Sequence, residues 1–176
     1  YTEESWDVDE LVSLRWTEDG PVRTTLEMEY RCRLSTIFQK IHFYADTRRI
    51  DFETTVDWKL HQHLLKVEFP LDIHTDEATV DIQFGNVTRK THSNTSWDKA
   101  RFESCAHKWV DYSEGHYGVS LLNDCKYGHS ILNGTLALTL VKSGIEPNPN
   151  TDVELHRFTY ALYPHGETWK QAGTVR

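Results

Sequence analysis

Three long segments in which apolar and polar residues alternate constrain this chain more than any other feature. They occupy residues 22–34, 37–43 and 50–58. The side chains of a strand point alternately to the two faces of its sheet, so a period of two indicates a half-buried strand. Three such segments in succession predict an antiparallel sheet with one dry face and one face in water.

Shorter runs rich in β-branched and aromatic residues continue this pattern at 64–69, 78–84, 119–122, 135–141 and 158–163. No apolar stripe with helical spacing is sustained over a helical length. The sequence therefore predicts one all-β domain over residues 1–176, a large sandwich of two antiparallel sheets. Residues 1–20 are acidic and polar, and we interpret them as a leading segment.

Charge and cysteine content exclude several classes of protein. The 176 residues carry 19 Lys and Arg against 27 Asp and Glu, a net charge of −8. Without a concentrated positive field, binding to nucleic acid or to an anionic membrane is not expected. Three widely spaced cysteines without a CxxC motif do not suggest a disulfide framework and favour the cytoplasm. The chain starts at Tyr1 rather than at Met, and we expect it to be a piece of a longer protein.

Residues 107–129, HKWVDYSEGHYGVSLLNDCKYGH, combine four Trp and Tyr rings with several carboxyl and amide groups. Because the apolar run 119–122 has the length of a strand, the segment is interpreted as loop, buried strand and loop. Aromatic faces and carboxylates suit contact with a sugar. The same composition also suits an ordinary corner of a β-sandwich, and the sequence leaves both interpretations open.

One pattern resembles a metal site. His61 and His63, followed by Glu68, have the spacing at which two imidazoles on one strand face the same side and converge on a metal. The upstream glycine and a later motif with the remaining ligand are missing. The sequence therefore favours two strand histidines without a metal.

Two pairs of carboxylates, Asp111 with Glu114 and Asp124 with Glu103, are candidates for acid–base catalysis. A glycosidase needs two carboxyl groups roughly 5–10 Å apart. The chain is rich in acidic residues, so chance pairs are expected. For Asn123-Asp124, which directly follow an apolar strand, a turn stabilised by their side chains is as good an interpretation as contact with a ligand.

A longer match then becomes evident. Residues 83–129, beginning QFGNVTRKTHSNTSWDKARFESC, closely resemble the C-terminal region of α-mannosidases of glycoside hydrolase family 38. The intracellular, bacterial and fungal branch of the family is the most similar. GPVR at 20–23, RIDFETTVDWKLHQHLLKVEFPLD at 49–72 and RFTYALYPHG at 157–166 fit the same region in the same order.

The resemblance implies a galactose-mutarotase-like β-sandwich, a β-supersandwich, that follows a catalytic barrel. It also implies that the longer parent protein hydrolyses terminal α-mannosides with retention, using an aspartate nucleophile and a catalytic zinc. The motifs for both belong to the N-terminal catalytic domain, and none is matched here. We therefore expect no catalytic residue, no metal and no cofactor in this chain. The implied partners are its own N-terminal catalytic domain and, through the parent, α-mannoside glycans.

In this family the sandwich packs against the barrel and can line part of the substrate cleft. The residues that we predict for that lining are Asn123, Asp124, Tyr127, Trp97 and His92. Two other functions stay open from the sequence. One is a free-standing carbohydrate-binding module, and the other is a small metal-dependent β enzyme.

Overall fold

The computed structural model describes residues 4–175, so the outermost ends of the predicted 1–176 domain lie outside the described residues. Within this range the chain forms thirteen strands and two short helices. They are, in chain order, β1 Glu10–Asp19, β2 Arg23–Cys32, β3 Ser35–Tyr44, β4 Ile50–Asp57, β5 Leu64–Pro70, β6 Glu77–Ile82, β7 Gly85–Lys90, α1 Ser96–Ala100, β8 Ser104–Cys105, β9 Trp109–Glu114, β10 Tyr117–Asn123, β11 Gly128–Leu132, β12 Thr135–Lys142, β13 Leu155–His165 and α2 Trp169–Ala172.

The strands form two sheets, and the predicted all-β antiparallel sandwich is confirmed. The large sheet has nine strands in the order β1-β2-β3-β4-β13-β10-β9-β6-β7, and the small sheet has four in the order β5-β12-β11-β8. All described pairings are antiparallel. Neither α1 nor α2 is long and apolar enough to cross a membrane within the described part of the chain.

The core lies between the two sheets. Its fully buried side chains come from alternate positions of strands in both sheets, among them Val56, Tyr112, Leu121, Leu136 and Leu138. This agrees with the period-two pattern, because one face of each strand is dry.

The segment 107–129 is not the predicted loop, strand and loop. Residues 109–114 form β9, which pairs with β10 from Tyr117↔Glu114 to Leu122↔Trp109. The prediction was wrong because Asp111 and Ser113 made this stretch look like a surface loop. Asp111 is in fact buried, with 2% of its surface exposed. A second difference is β1, which occupies part of the acidic leading segment, where the pattern predicted no strand.

The two sheets differ in width, and this difference leaves part of the large sheet uncovered. Directly paired positions form one row across five strands, and its members are Trp16, Leu26, Ile41, Phe52 and Tyr160. Directly paired residues point to the same face. Exposure along the row falls from 60% at Trp16 to 2% at Tyr160. The core face of the large sheet therefore continues beyond the small sheet.

We call this uncovered part of the core face the apolar overhang. Its side chains lie on β1, β2 and β3, and they are Leu11, Leu14, Trp16, Leu26, Met28, Tyr30, Ile41 and Phe43. The opposite face of the same strands is charged. There Glu27 binds both Arg15 and Lys40, and Arg31 binds Glu10. The three strands are therefore amphipathic. Their apolar side is exposed along β1 and half-buried along much of β2 and β3, and it joins the core where Tyr30 packs against buried residues.

Candidate functional site

A buried polar cluster joins β9, β10 and the end of β13. Ser120 lies opposite Asp111 in the ladder, and its hydroxyl donates to Asp111 Oδ1 over 2.7 Å. His165 Nε2 lies 2.8 Å from the same carboxylate oxygen and 3.2 Å from Ser120 Oγ. Ser113 Oγ donates to Asp111 Oδ2 over 2.7 Å. The Asp111 carboxylate is therefore held by three side chains away from solvent.

Asp111, Ser120 and His165 have the residue types of a hydrolytic triad, but their geometry is different. In a triad the serine and the acid lie at opposite ring nitrogens. Here both lie at His165 Nε2, while Nδ1 faces the Glu167 carbonyl oxygen at 2.6 Å. Ser120 also has no exposed surface, so a substrate cannot reach it. The cluster is therefore structural, because its hydrogen bonds join β9, β10 and β13 to one another out of reach of a substrate.

The cluster fastens the C-terminal segment to the outer face of the large sheet. Thr174 Oγ1 lies 3.0 Å from Ser120 Oγ, and the ring of Trp169 packs on Trp109 with centroids 4.7 Å apart. Tyr163 donates its hydroxyl proton to the Ala172 carbonyl over 3.2 Å. A cavity of about 670 Å³ lies beside this segment, between it and the turn at residues 45–48. Sequence reasoning had paired Asp111 with Glu114 and missed His165.

Of the predicted cleft residues, Asn123, Asp124 and Tyr127 lie together at the turn between β10 and β11. Asn123 Nδ2 donates to the His107 carbonyl over 2.9 Å, and Asn123 Oδ1 accepts from the Lys126 amide over 2.6 Å. Asp124 Oδ2 accepts from the Thr159 amide over 2.9 Å. The bond from the Lys126 amide closes a local turn at Asn123, whereas the bonds to His107 and from Thr159 tie the turn to distant segments of the chain.

This turn borders a cavity of about 260 Å³ that carries both signs of charge. Arg49, Lys108 and Asp124 are among its lining residues. Lys108 Nζ donates to the Asp124 carbonyl oxygen. Tyr127 is 56% exposed, and its ring packs edge-on against His107. The turn thus offers one open ring and hydrogen-bonding groups, and its place in a substrate cleft stays a prediction.

The other two predicted cleft residues, Trp97 and His92, lie around α1. Trp97 is 77% exposed. The helix begins with a capping box, in which the Thr95 hydroxyl accepts from the Asp98 amide and the Asp98 carboxylate accepts from the Thr95 amide. The Thr95 hydroxyl also donates to the Asp98 carboxylate. The Thr95 hydroxyl is the main reason that the pKa of Asp98 lies below its usual value. His92 Nδ1 is 3.6 Å from the same carboxylate. The segment is therefore an ordered turn that presents a tryptophan ring to solvent.

The HxH pattern is not on a strand. His61 and His63 precede β5 in a loop where Gln62 has a positive φ of 58°. His61 Nδ1 lies 2.9 Å from the Pro149 carbonyl oxygen, and His63 packs against the ring of Trp6. Residues 4–175 contain no group of three His, Cys, Asp or Glu side chains that could hold a metal. The residues present therefore do not fit a catalytic zinc.

The four carboxylates considered for acid–base catalysis bind different partners. Asp111 lies in the buried cluster, whereas Glu114 accepts from the His74 amide. Glu103 binds Lys66 over 2.7 Å on the small sheet. Asp111 and Glu114 are three positions apart on β9, so their side chains point to opposite faces of the sheet. The structure therefore does not bring that pair together.

His129 is buried in the core, where protonation of its ring at acidic pH would destabilise the folded state. Its Nδ1 lies 3.1 Å from the Tyr127 carbonyl oxygen, while Nε2 is buried without a hydrogen-bond partner among the described residues. Burial lowers the pKa of His129 to about 4. A buried imidazole with a free lone pair is neutral at physiological pH.

We expect this site to set part of the acid stability of the domain. The unfolded chain binds a proton at His129 near the ordinary histidine pKa of 6.5, whereas the folded chain does so only near 4. Stability therefore falls as pH drops from about 6.5 to 4, by about 3 kcal/mol from this group. In His129→Leu, the free energy of unfolding measured with urea should fall less steeply between pH 6.5 and 4 than in the wild type. His74→Leu, at a side chain that is 83% exposed, is the control and should leave it unchanged. If stability falls equally steeply with pH in His129→Leu, His129 is not the group responsible.

The fold and its polar clusters define the class: a two-sheet antiparallel β-sandwich whose buried polar groups bind its own segments. The sequence model of the family described as "Glycosyl hydrolases family 38 C-terminal domain" matches residues 1–150. The chain belongs to this family.

Relatives with established names agree with this assignment. The chain is 41% identical over 164 residues to alpha-mannosidase G of Dictyostelium discoideum, covering 90% of the chain and 15% of that protein. It is 46% identical over 142 residues to human alpha-mannosidase 2C1, covering 81% of the chain and 14% of that protein. The chain thus spans about one-seventh of the length of these relatives.

Solved structures support the fold. The crystal structure of an alpha-mannosidase from Enterococcus faecalis V583 superimposes with a TM-score of 0.83 at 19% identity, covering 92% of this chain and 23% of that one. A second E. faecalis protein of glycosyl hydrolase family 38 superimposes with a TM-score of 0.79 at 18% identity, with the same coverage of both chains. At these identities the likeness concerns the fold alone.

Proposed function

We propose that this chain is the C-terminal, non-catalytic β domain of a zinc-dependent retaining α-mannosidase that hydrolyses terminal α-mannosides in oligosaccharides. The observation that carries the proposal is family membership together with the small share of each relative, 14–15%, that the chain covers. The nucleophile and the zinc ligands then belong to the N-terminal catalytic domain of the parent. We place the parent enzyme in the cytoplasm, in keeping with three free cysteines among the described residues.

The role of this domain is to support the catalytic domain, and the apolar overhang is the surface that suits such a role. Its exposed apolar side chains are Leu11, Leu14, Trp16 and Phe43, which are 46%, 53%, 60% and 38% exposed. Monomeric soluble proteins rarely expose apolar patches much larger than a few hundred Å², and such patches commonly mark interaction sites. The charged opposite face of the same strands is suited to solvent.

The test compares the parent polypeptide with the 176-residue chain. We expect the parent to hydrolyse an aryl α-mannoside, to lose this activity when zinc is chelated and to regain it when zinc is returned. The 176-residue chain alone should give no turnover, with or without zinc. Turnover by the chain alone, or chelator-resistant hydrolysis by the parent, would overturn the proposal. Tight calorimetric binding of mannose by the chain alone would instead favour a carbohydrate-binding module.

A further inference from the structure

The edges of the two sheets are protected to different degrees. Unpaired strand edges invite pairing with other strands, and proteins guard them with bulges, charges or short length. Strand β1 carries two register irregularities, at Leu11/Ser13 and Trp16/Glu18. Strand β7 ends in Arg89 and Lys90, and β8 is only two residues long. The fourth edge, β5, is seven residues long and has no extra residue of its own, because the irregularity in its ladder lies on β12 at Thr139/Val141. Its charges are Glu68 and Lys66, and Lys66 binds Glu103.

The hydrogen bonds at both ends of β5 fix which of its amides are free. The Leu71 amide donates to the Gly134 carbonyl over 2.8 Å, and the Ser143 amide donates to the His63 carbonyl over 3.0 Å. Successive residues of a strand direct their backbone groups to opposite edges. The odd-numbered residues of β5 therefore pair with β12, while the amides of Lys66 and Glu68 point away from the sheet. Pro70, which lacks an amide, also falls on the free side, where a proline is tolerated.

The free edge of β5 borders the apolar overhang. Phe69 on β5 packs against Phe52 on β4, with ring centroids 5.9 Å apart. Phe69 and Val67 are only partly buried although they pack on the core. At one end, Trp6 lies between His63 and the guanidinium of Arg33, which is 4.1 Å from its ring centroid. The free backbone groups of β5 and the apolar side chains of the overhang therefore form the two sides of a groove. Trp6 closes one end of this groove.

We propose that the free edge of β5 pairs with an additional β-strand contributed by the α-mannosidase polypeptide outside these 176 residues. Apolar side chains on one face of that strand cover the overhang, so that the small sheet widens beneath β3, β2 and β1. This inference rests on the proposed function, since it takes the strand from the parent enzyme. It goes further by naming the backbone groups and the alternating apolar pattern that the partner segment must have.

A second copy of this chain does not fit the same groove. Two β5 edges that pair antiparallel are related by a two-fold axis perpendicular to the small sheet. Both large sheets then lie on the same side of the joined small sheets, and the two overhangs occupy the same space. With the strands parallel instead, each overhang meets the outer face of the other small sheet, where Lys66 is paired with Glu103.

Hydrogen exchange of the intact parent polypeptide, resolved to single residues, tests the proposal. We expect the amides of Lys66 and Glu68 to exchange within about tenfold of the rate at Val67 and Phe69, because both sets are then bonded within a sheet. Exchange at Lys66 and Glu68 more than about 1,000-fold faster, as at an open edge, would overturn it. Protection that appears only at high protein concentration would also overturn it, in favour of a second copy.

A pair of variants separates the backbone from the side chain. Glu68→Pro removes the outward amide, whereas Glu68→Ala keeps it and loses the same carboxylate. In the parent polypeptide we expect Glu68→Pro to lower the thermal midpoint by about 5 °C or more and Glu68→Ala to shift it by about 1 °C or less. Equal midpoints would contradict the proposal. If the Glu68→Pro variant does not fold, the hydrogen-exchange rates of Lys66 and Glu68 in the wild type test the proposal. The proposed function is tested separately, by mannoside hydrolysis. The result of that assay does not depend on whether the β5 amides are protected.

Discussion

Gly118→Ala is expected to destabilise the domain by about 2–3 kcal/mol, whereas Gly85→Ala should change its stability by less than about 1 kcal/mol. A Cβ at Gly118 would lie 2.4 Å from Ser113 Cβ and 2.5 Å from His165 Cε1. Neither neighbour is free to move, because Ser113 is bonded to Asp111 and the His165 ring is held at both nitrogens. A Cβ at Gly85 would meet nothing within 4 Å.

The two glycines make a matched pair. Both lie on strands and neither has a positive φ, so alanine is compatible with the backbone at both positions. Any difference in stability between the two variants then reflects the space available for a Cβ at each position. Urea unfolding of the 176-residue chain followed by tryptophan fluorescence measures it. Coincident transitions for Gly118→Ala and Gly85→Ala would show that the segment carrying His165 does not pack on β10 as described.

The position of Gly118 also shows what sequence reasoning could reach in this protein. Alternation identified the long strands and predicted the sandwich, because water on one face and core on the other leave a period of two. It failed for β9, where Asp111 and Ser113 face away from the core. Asp111 is buried by contacts with the end of β13 and the segment after it, more than fifty positions later, and a local pattern carries no information about such contacts.

The same limit applies to the candidate sites. The sequence predicted that Asn123 and Asp124 form a turn or a ligand contact. Asn123 closes a local turn with the Lys126 amide, but the bonds of Asn123 to His107 and of Asp124 to Thr159 reach distant segments that the local pattern does not reveal. The pattern of β2 and β3 showed which face is apolar but not whether anything covers it. Coverage depends on the width of the small sheet, which is set by the number of strands that it contains. The overhang therefore became evident only once both sheets had been placed.

Asp111→Ala is expected to cost about 3–5 kcal/mol, because it leaves the buried His165 ring and two hydroxyls without their shared acceptor. The Asp111 and His165 side chains are only 2% and 3% exposed, so water cannot replace the carboxylate without opening the structure. The exposed pair of Glu10 with Arg31, whose side chains are each 55% exposed, is the control. Glu10→Ala should cost at most about 1 kcal/mol.

A double-mutant cycle decides whether the Asp111–His165 pair acts as a unit. His165→Ala alone leaves the carboxylate buried beside Ser113 and Ser120 only, and should also be strongly destabilising. If the two groups compensate each other, Asp111→Ala with His165→Ala will be less destabilised than the sum of the single variants, by about 1–3 kcal/mol. Additive losses would mean that each side chain contributes only its own packing. Because the cluster holds Thr174 against Ser120, the single variants should also increase proteolysis after residue 165, which Glu10→Ala should not do.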